Sequence, residues 1–291
     1  MSNPLYGAIE AGGTKFVCAV GSAPDDLRDI RRISTSHNPL ETMAEVIAYF
    51  QNHDALAAIG IASFGPIDYA SGCITTTPKI SWRHFPLRPA IERAFRVPVG
   101  FDTDVNAAAL GESRYGAGAG LADFIYITVG TGIGGGAVAG GKPVHGLLHP
   151  EMGHLLVRRS RDELPGFNGV CPYHGDCLEG MASGPAIQAR WGKPAHDLPQ
   201  DHPAWRIEAD YLAQACVNLA CTLSPRMIVL GGGVMDQRHL FDLIRARAAE
   251  LMRDYLQLPR IEPPALPYPG LTGALALAVD AAQSRSGVIV E

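Results

Sequence analysis

YGAIEAGGTKFVCAV, residues 6–20, is an apolar, β-prone run that breaks into a glycine pair and then resumes. Two such runs around a short break predict a β-hairpin whose tight turn lets a ligand approach the backbone closely. The pattern returns in FIYITVGTGIGGGAVAGG at 124–141, and a third apolar run ends in glycines in MIVLGGGVM at 227–235. A hairpin of one kind opening both halves of the chain points to an internal duplication. Apolar residues at helical spacing occur in ETMAEVIAYFQNH (41–53), VNAAALGESRYG (105–116) and HPAWRIEADYLAQACVNLACTL (202–223). Alternating strands and helices predict an α/β architecture. The Gly- and Ala-rich YGAGAGLAD suggests a division near residue 116. That gives a smaller domain over 1–116 and a larger one over 117–273, with a final helix over about 274–291 free to pack back on the first.

A chain of 291 residues buries a substantial core without staples. The start, MSNPLYGAIEAGG, lacks a basic stretch followed by an apolar one, and no run of about eighteen apolar residues occurs, so a soluble cytoplasmic protein without membrane contact is expected. A net charge of −5 and the absence of a long Lys/Arg stripe speak against nucleic acid as a partner. The six cysteines are expected to be reduced in that compartment. Cys18, Cys73, Cys216 and Cys221 sit in apolar settings and read as small buried hydrophobes.

The other two belong to FNGVCPYHGDCLEG, residues 167–180, which spaces Cys171, His174 and Cys177 at three-residue intervals. Pro172 and Gly175 oppose a regular helix there, so the three side chains are expected to converge as a loop wraps around an ion. His154 in HPEMGH is the best candidate for a fourth ligand, with His145 and His149 as competitors. A redox pair fits poorly, because five residues separate Cys171 from Cys177 and no thioredoxin pattern surrounds them. The glycine turns expose successive N–H groups suited to phosphate oxygens, although each alone is explained by an ordinary hairpin. None fits GxxxxGK[ST], and TVGTGIGGG does not lead into a helix, so neither a Walker ATPase nor a Rossmann dehydrogenase is supported. In FDTDVNAAALGE, Asp104 stands where an apolar strand gives way to a helix. The helix N-terminus should keep it ionised, as a general base requires, but taken alone a simple N-cap is the preferred reading.

EAGGTK (10–15), DTDVNAAALGE (102–112), TVGTGIGGG (128–136), HPEMGH (149–154), CPYHGDCLEG (171–180) and LGGGV (230–234), in this order over almost the whole chain, resemble the ROK family of sugar kinases, most closely its fructokinase branch. The resemblance implies two actin-like (ribonuclease H-like) α/β domains with ATP and sugar in the cleft between them, and a homodimer. It implies that Gly12, Gly13, Thr14 and Lys15 form a first phosphate turn, Gly130, Thr131 and Gly132 a second, and Gly231, Gly232 and Gly233 a turn on the nucleoside side. Asp104 matches the family's catalytic base, which displaces the N-cap reading. Glu151, His154 and Glu179 are implied around the sugar with Asp104. Gly65, in the Gly-Pro turn of IASFGPID, is expected to face the same cleft, where a plain turn explains it nearly as well.

The implied metals are a structural Zn²⁺ on His154, Cys171, His174 and Cys177, and the Mg²⁺ that accompanies ATP, with Glu10 as its possible carboxylate. Glu10 stands where many relatives carry Asp, and Thr103 where glucokinase-like relatives carry a sugar-binding Asn, which turns preference away from glucose. His174 replaces a more usual cysteine and favours the fructokinase branch. The implied activity is ATP-dependent phosphorylation of D-fructose to fructose 6-phosphate. Glucokinase, mannokinase or amino-sugar kinase activity is the alternative, and a non-catalytic sugar-sensing protein is the competing class. The family's repressors carry an added helix-turn-helix domain, for which a first strand at about residue 5 leaves no room. Closing the ion's shell should fix Glu151 and Glu179 relative to each other. Loss of the ion is therefore expected to weaken sugar binding more than ATP binding, since the phosphate turns lie elsewhere in sequence.

Overall fold

The computed structural model describes residues 3–24 and 26–285, so positions 286–291 of the expected final helix lie outside the described residues. Two compact units are present. Residues up to 120, with 143–149 and those from 266 onward, form the first; residues 121–142 and 150–265 form the second.

In the first unit β1 (Leu5–Ala11), β2 (Lys15–Gly21) and β3 (Arg28–Ser34) make an antiparallel meander. Helix α1 (Pro39–Gln51) follows, its start set by Asn38, whose side chain accepts the Leu40 N–H beside Pro39. Strand β4 (Leu56–Ser63) then runs parallel to β1. A small hairpin of β5 (Ile67–Asp68) and β6 (Cys73–Ile74) precedes α2 (Leu87–Phe95). Strand β7 (Val99–Thr103) runs parallel to β4 and passes directly into α3 (Asp104–Tyr115). The sheet order is β3-β2-β1-β4-β7.

The second unit repeats that plan. Strands β8 (Phe124–Val129) and β9 (Ile133–Ala139) form the hairpin, followed by β10 (Lys142–Pro143). Helices α4 (Leu178–Ala182), α5 (Gly184–Trp191) and α6 (Ala204–Leu223) come next. Strand β11 (Met227–Gly231) lies parallel to β8, and after α7 (Leu240–Met252) β12 (Arg260–Glu262) lies parallel to β11. The order β10-β9-β8-β11-β12 matches the first sheet strand for strand. The duplicated hairpin of the sequence is thus one part of a duplicated actin-like sheet.

The chain returns to the first unit as α8 (Pro269–Arg285). Successive residues of each strand point to opposite faces of the first sheet, and the two faces differ. Ile9, Phe16, Ile59, Ile61 and Phe101 fill the face covered by α1 and α2, whereas Ala8, Ala19, Ala58 and Ala62 meet α8. The small face lets backbones touch: a Cβ on Gly60 would overlap the Ala274 carbonyl, and one on Gly273 the Ala107 carbonyl of α3. Helix α8 thereby packs directly on α3, β4 and β7. Among the described residues no helix is long and apolar enough to cross a membrane.

The second unit buries an ionic cluster. Arg190 donates to both oxygens of Glu163 at 2.8 and 3.0 Å, and Tyr211 Oη donates to Glu163 at 2.8 Å. Beside them Glu208 is 1% exposed, and neither carboxylate oxygen has a hydrogen-bond partner among the described residues. Burial pushes its pKa well above the ordinary glutamate value, Arg190 opposing and Glu163 adding to the shift. A carboxyl whose folded pKa is raised loses stability for the protein as pH rises above the unfolded value, because the unfolded chain releases the proton first. Glu208→Gln removes that loss. The melting temperature of the parent should fall relative to the variant between pH 5 and pH 8, with a gain for the variant of a few degrees at the upper end. Parallel melting curves across this range would show that Glu208 titrates as it does in the unfolded chain.

Candidate functional site

The first glycine turn joins β1 to β2, closed by the Gly12 N–H on the Lys15 carbonyl at 2.9 Å. Its carbonyls are drawn to one side. Thr35 Oγ1 donates to Gly12 O at 2.8 Å, the Thr35 N–H donates to Thr14 O at 3.0 Å, and Lys79 Nζ donates to Gly13 O at 2.7 Å and to Thr35 O at 2.8 Å. In a trans peptide the N–H points opposite to the carbonyl before it. Holding these three carbonyls back therefore turns the amides of Gly13, Thr14 and Lys15 outward, where the exposed turn can offer them to phosphate oxygens. Lys79 and Thr35 had no sequence signal, because they reach the turn from 66 and 23 residues away. Glu10, half-buried on β1, lies against the start of α8, where a Cβ on Gly270 would meet its carboxyl carbon at 2.9 Å. Burial raises its pKa, and the charge of Lys15 opposes the rise.

At the junction of β7 and α3 three consecutive polar residues have separate tasks. Thr103 is the N-cap, its Oγ1 accepting the Asn106 N–H at 3.1 Å. Asp104 is therefore the first helical residue rather than the cap, half-buried, with Oδ1 accepting the Val105 N–H at 2.9 Å. Asp102 is 1% exposed and fully engaged. Its Oδ1 accepts from the Thr103 N–H at 2.8 Å and Asn106 Nδ2 at 2.9 Å, and its Oδ2 pairs with His145 Nε2 at 2.9 Å. The hydrogen bond to Asp102 raises the His145 pKa against the effect of burial. His145 also packs on Tyr69, with ring centroids 4.7 Å apart. Asp102, His145, Tyr69, Leu148 and His149 line a cavity of about 220 Å³ in the first unit. Gly65 stands at its edge, where a Cβ would lie 3.4 Å from the His149 ring, and His149 Nε2 accepts the Ile67 N–H at 3.1 Å.

In the second unit the other two glycine turns sit side by side at the carboxyl ends of parallel strands β8 and β11. Gly232 has φ +90°, and a Cβ on it would overlap the backbone of Val129, so this position admits glycine alone. The second turn, Gly130–Gly132, is closed by the Gly130 N–H on Gly132 O at 2.9 Å. Glu179 borders it, with Oε2 accepting the Ile133 N–H at 2.9 Å. Glu151 is exposed just before a single 3₁₀ turn, Met152–His154, and its carbonyl accepts the His154 N–H at 3.0 Å.

His154, Cys171, His174 and Cys177 form a group that could hold a metal ion, their ligand atoms all within 4.8 Å of one another. His154 Nδ1 is 3.5 Å from Cys177 Sγ, 3.7 Å from Cys171 Sγ and 3.3 Å from His174 Nδ1, and Cys171 Sγ is 3.8 Å from His174 Nδ1. The competing histidines are elsewhere, His145 on Asp102 and His149 on the Ile67 amide.

Twin sheets of one topology, glycine turns at strand ends and an acid at a helix start define the actin-like kinase class. Within it the chain belongs to the ROK family, whose model matches residues 6–281. It is 44% identical over 286 residues to a fructokinase of Pediococcus pentosaceus, covering 94% of this chain and 97% of that protein. It is 42% identical over 294 residues to a fructokinase of Zymomonas mobilis subsp. mobilis, covering 95% and 97%. A ROK family glucokinase from Streptomyces griseus, solved with glucose and AMPPNP, superposes with a TM-score of 0.78 at 27% identity, over 95% of this chain and 99% of that one.

Proposed function

We propose that this protein is an ATP-dependent fructokinase that transfers the γ-phosphoryl group to the terminal hydroxyl of D-fructose, giving fructose 6-phosphate and ADP. The observation that carries the choice of sugar is the gap between 44% identity to a fructokinase and 27% to a glucokinase, each over nearly the full chain. Thr103 agrees with it, since it is buried and its oxygen caps α3 by accepting the Asn106 N–H.

Asp104 takes the proton of the attacking hydroxyl as the new O–P bond forms, and the β–γ bridging oxygen leaves with ADP. The amides of Gly13–Lys15 and of Thr131 and Gly132 hold the phosphates, with the Gly12 and Gly130 amides closing the two turns, and Gly231–Gly233 supports the nucleoside. Glu151, His154, Glu179 and Gly65 complete the sugar side. Mg²⁺ carried with ATP would supply charge neutralisation on the phosphates, and Glu10 would be the carboxylate that holds it.

The second metal is zinc. Tetrahedral bonds of about 2.3 Å to sulfur and about 2.0–2.1 Å to nitrogen give edges of about 3.4 Å for N–N and about 3.6 Å for N–S. The observed 3.3 Å and 3.5–3.8 Å match those edges. Four protein ligands leave no open position, so this ion has a structural role. The active unit is taken to be a homodimer acting in the cytoplasm.

ADP release should be measured across hexoses and amino sugars, with metal content determined on the same sample. Fructose should give the highest kcat/KM. Faster turnover of glucose, mannose or an amino sugar would reassign the substrate, and nucleotide-independent sugar binding without ADP release would make the chain a sensor.

A further inference from the structure

The metal cluster and the second glycine turn are distant in sequence, yet they hold the same peptide. Ile133 opens β9 immediately after the turn. Its N–H donates to Glu179 Oε2 at 2.9 Å, and a Cβ on Gly132 would fall 2.6 Å from the same oxygen. Its carbonyl lies against Gly153 so closely that a Cβ there would overlap it. Glu179 follows the ligand Cys177 by two residues, and Gly153 immediately precedes the ligand His154. Both grips on Ile133 are thus carried by segments that the ion would pin.

The link extends to the turn's other end. Helix α4 has five residues, too few to be stable by its own hydrogen bonds. Its N-cap is Cys177, fully buried, which supplies no side-chain capping bond. Just past α4, the Gly184 N–H donates to Gly130 O at 2.8 Å. A short helix anchored at its start by a metal ligand, together with the first residue of α5 that follows it, therefore touches the turn both before and after the phosphate-facing amides.

We infer that the ion held by His154, Cys171, His174 and Cys177 sets the shape of the Gly130–Gly132 turn, with Glu179 as the positioning residue that transmits it. This rests on that turn being a phosphate site. It competes with the expectation that ion loss weakens sugar binding more than ATP binding.

The test uses full-length, metal-loaded protein without sugar. Binding of Mg²⁺–AMPPNP is measured by calorimetry, and amide exchange of residues 128–136 by mass spectrometry. Glu179→Ala leaves the Ile133 amide without its charged acceptor and should weaken binding about tenfold or more, with faster exchange at Ile133. Glu179→Gln keeps an acceptor oxygen and should stay within about threefold of the parent. Parent protein stripped with a zinc-selective chelator and returned to Mg²⁺ should behave like Glu179→Ala, and circular dichroism identifies any preparation that has unfolded. Folded Glu179→Ala or stripped protein with parental nucleotide affinity and parental exchange overturns the inference. If the parent binds no nucleotide, the phosphate assignment of the turn fails. Exchange at Ile133 then still decides whether ion and turn are linked.

Discussion

Asp104→Asn lowers fructose turnover by roughly 10²–10⁴-fold, the range associated with loss of a general base. The amide is nearly isosteric and its oxygen still accepts the Val105 N–H, so the start of α3 keeps its shape while the proton acceptor is lost. Capping survives as well, because Thr103 performs it. Asp102 cannot take over, since it is buried and its oxygens already accept from Thr103, Asn106 and His145. Nucleotide affinity, measured calorimetrically, should remain near parental, which separates a lost chemical step from a collapsed site. Turnover near the parental rate would show that Asp104 is not the base.

The division of labour among Asp102, Thr103 and Asp104 shows how far the sequence was legible. Both Asp and Thr cap helices well, so FDTDVN leaves the cap ambiguous by one residue. Strand burial resolves it: Phe101, Asp102 and Thr103 are all buried at the end of β7, and the helix begins only when the chain reaches the half-buried Asp104. The hairpins and the long helices were legible because their signals are local and periodic. The candidate metal cluster was legible in Cys171, His174 and Cys177 because their spacing is short and their side chains are chemically distinctive, whereas His154 had competitors in His145 and His149. Lys79 on Gly13, His145 on Asp102 and Glu179 on Ile133 were not. Each is one polar contact across 43 to 66 residues, and a single long-range pair leaves no periodicity in the residues between its ends.

Cys177→Ser should abolish metal retention and lower the melting temperature by on the order of 10 °C or more, because structural zinc binding is folding free energy. The parent should carry one zinc per chain, with two sulfur and two nitrogen neighbours by X-ray absorption. Residues 155–177 explain the size of the effect. Among the described residues, Leu156 and Cys177 form an isolated bridge and Cys171 and Gly175 another, and no helix or longer strand lies between them. Apart from Glu163, held by Arg190 and Tyr211, a segment with so little regular hydrogen bonding would rely on these ligands to hold it. Serine keeps nearly the size of cysteine, so packing around this fully buried position changes little and the loss reports the ligand itself. Acid should act in the same direction, since the thiols and imidazoles must lose their protons to bind the ion and affinity falls as pH falls. Limited proteolysis localises the consequence: cleavage should appear within 155–177 in the variant while the β8–β9 hairpin, with its own ladder from Phe124 to Val138, stays intact. A Cys177→Ser protein that keeps one zinc per chain, or a zinc-free parent that melts at the same temperature, would remove the ion from the account of this unit's stability.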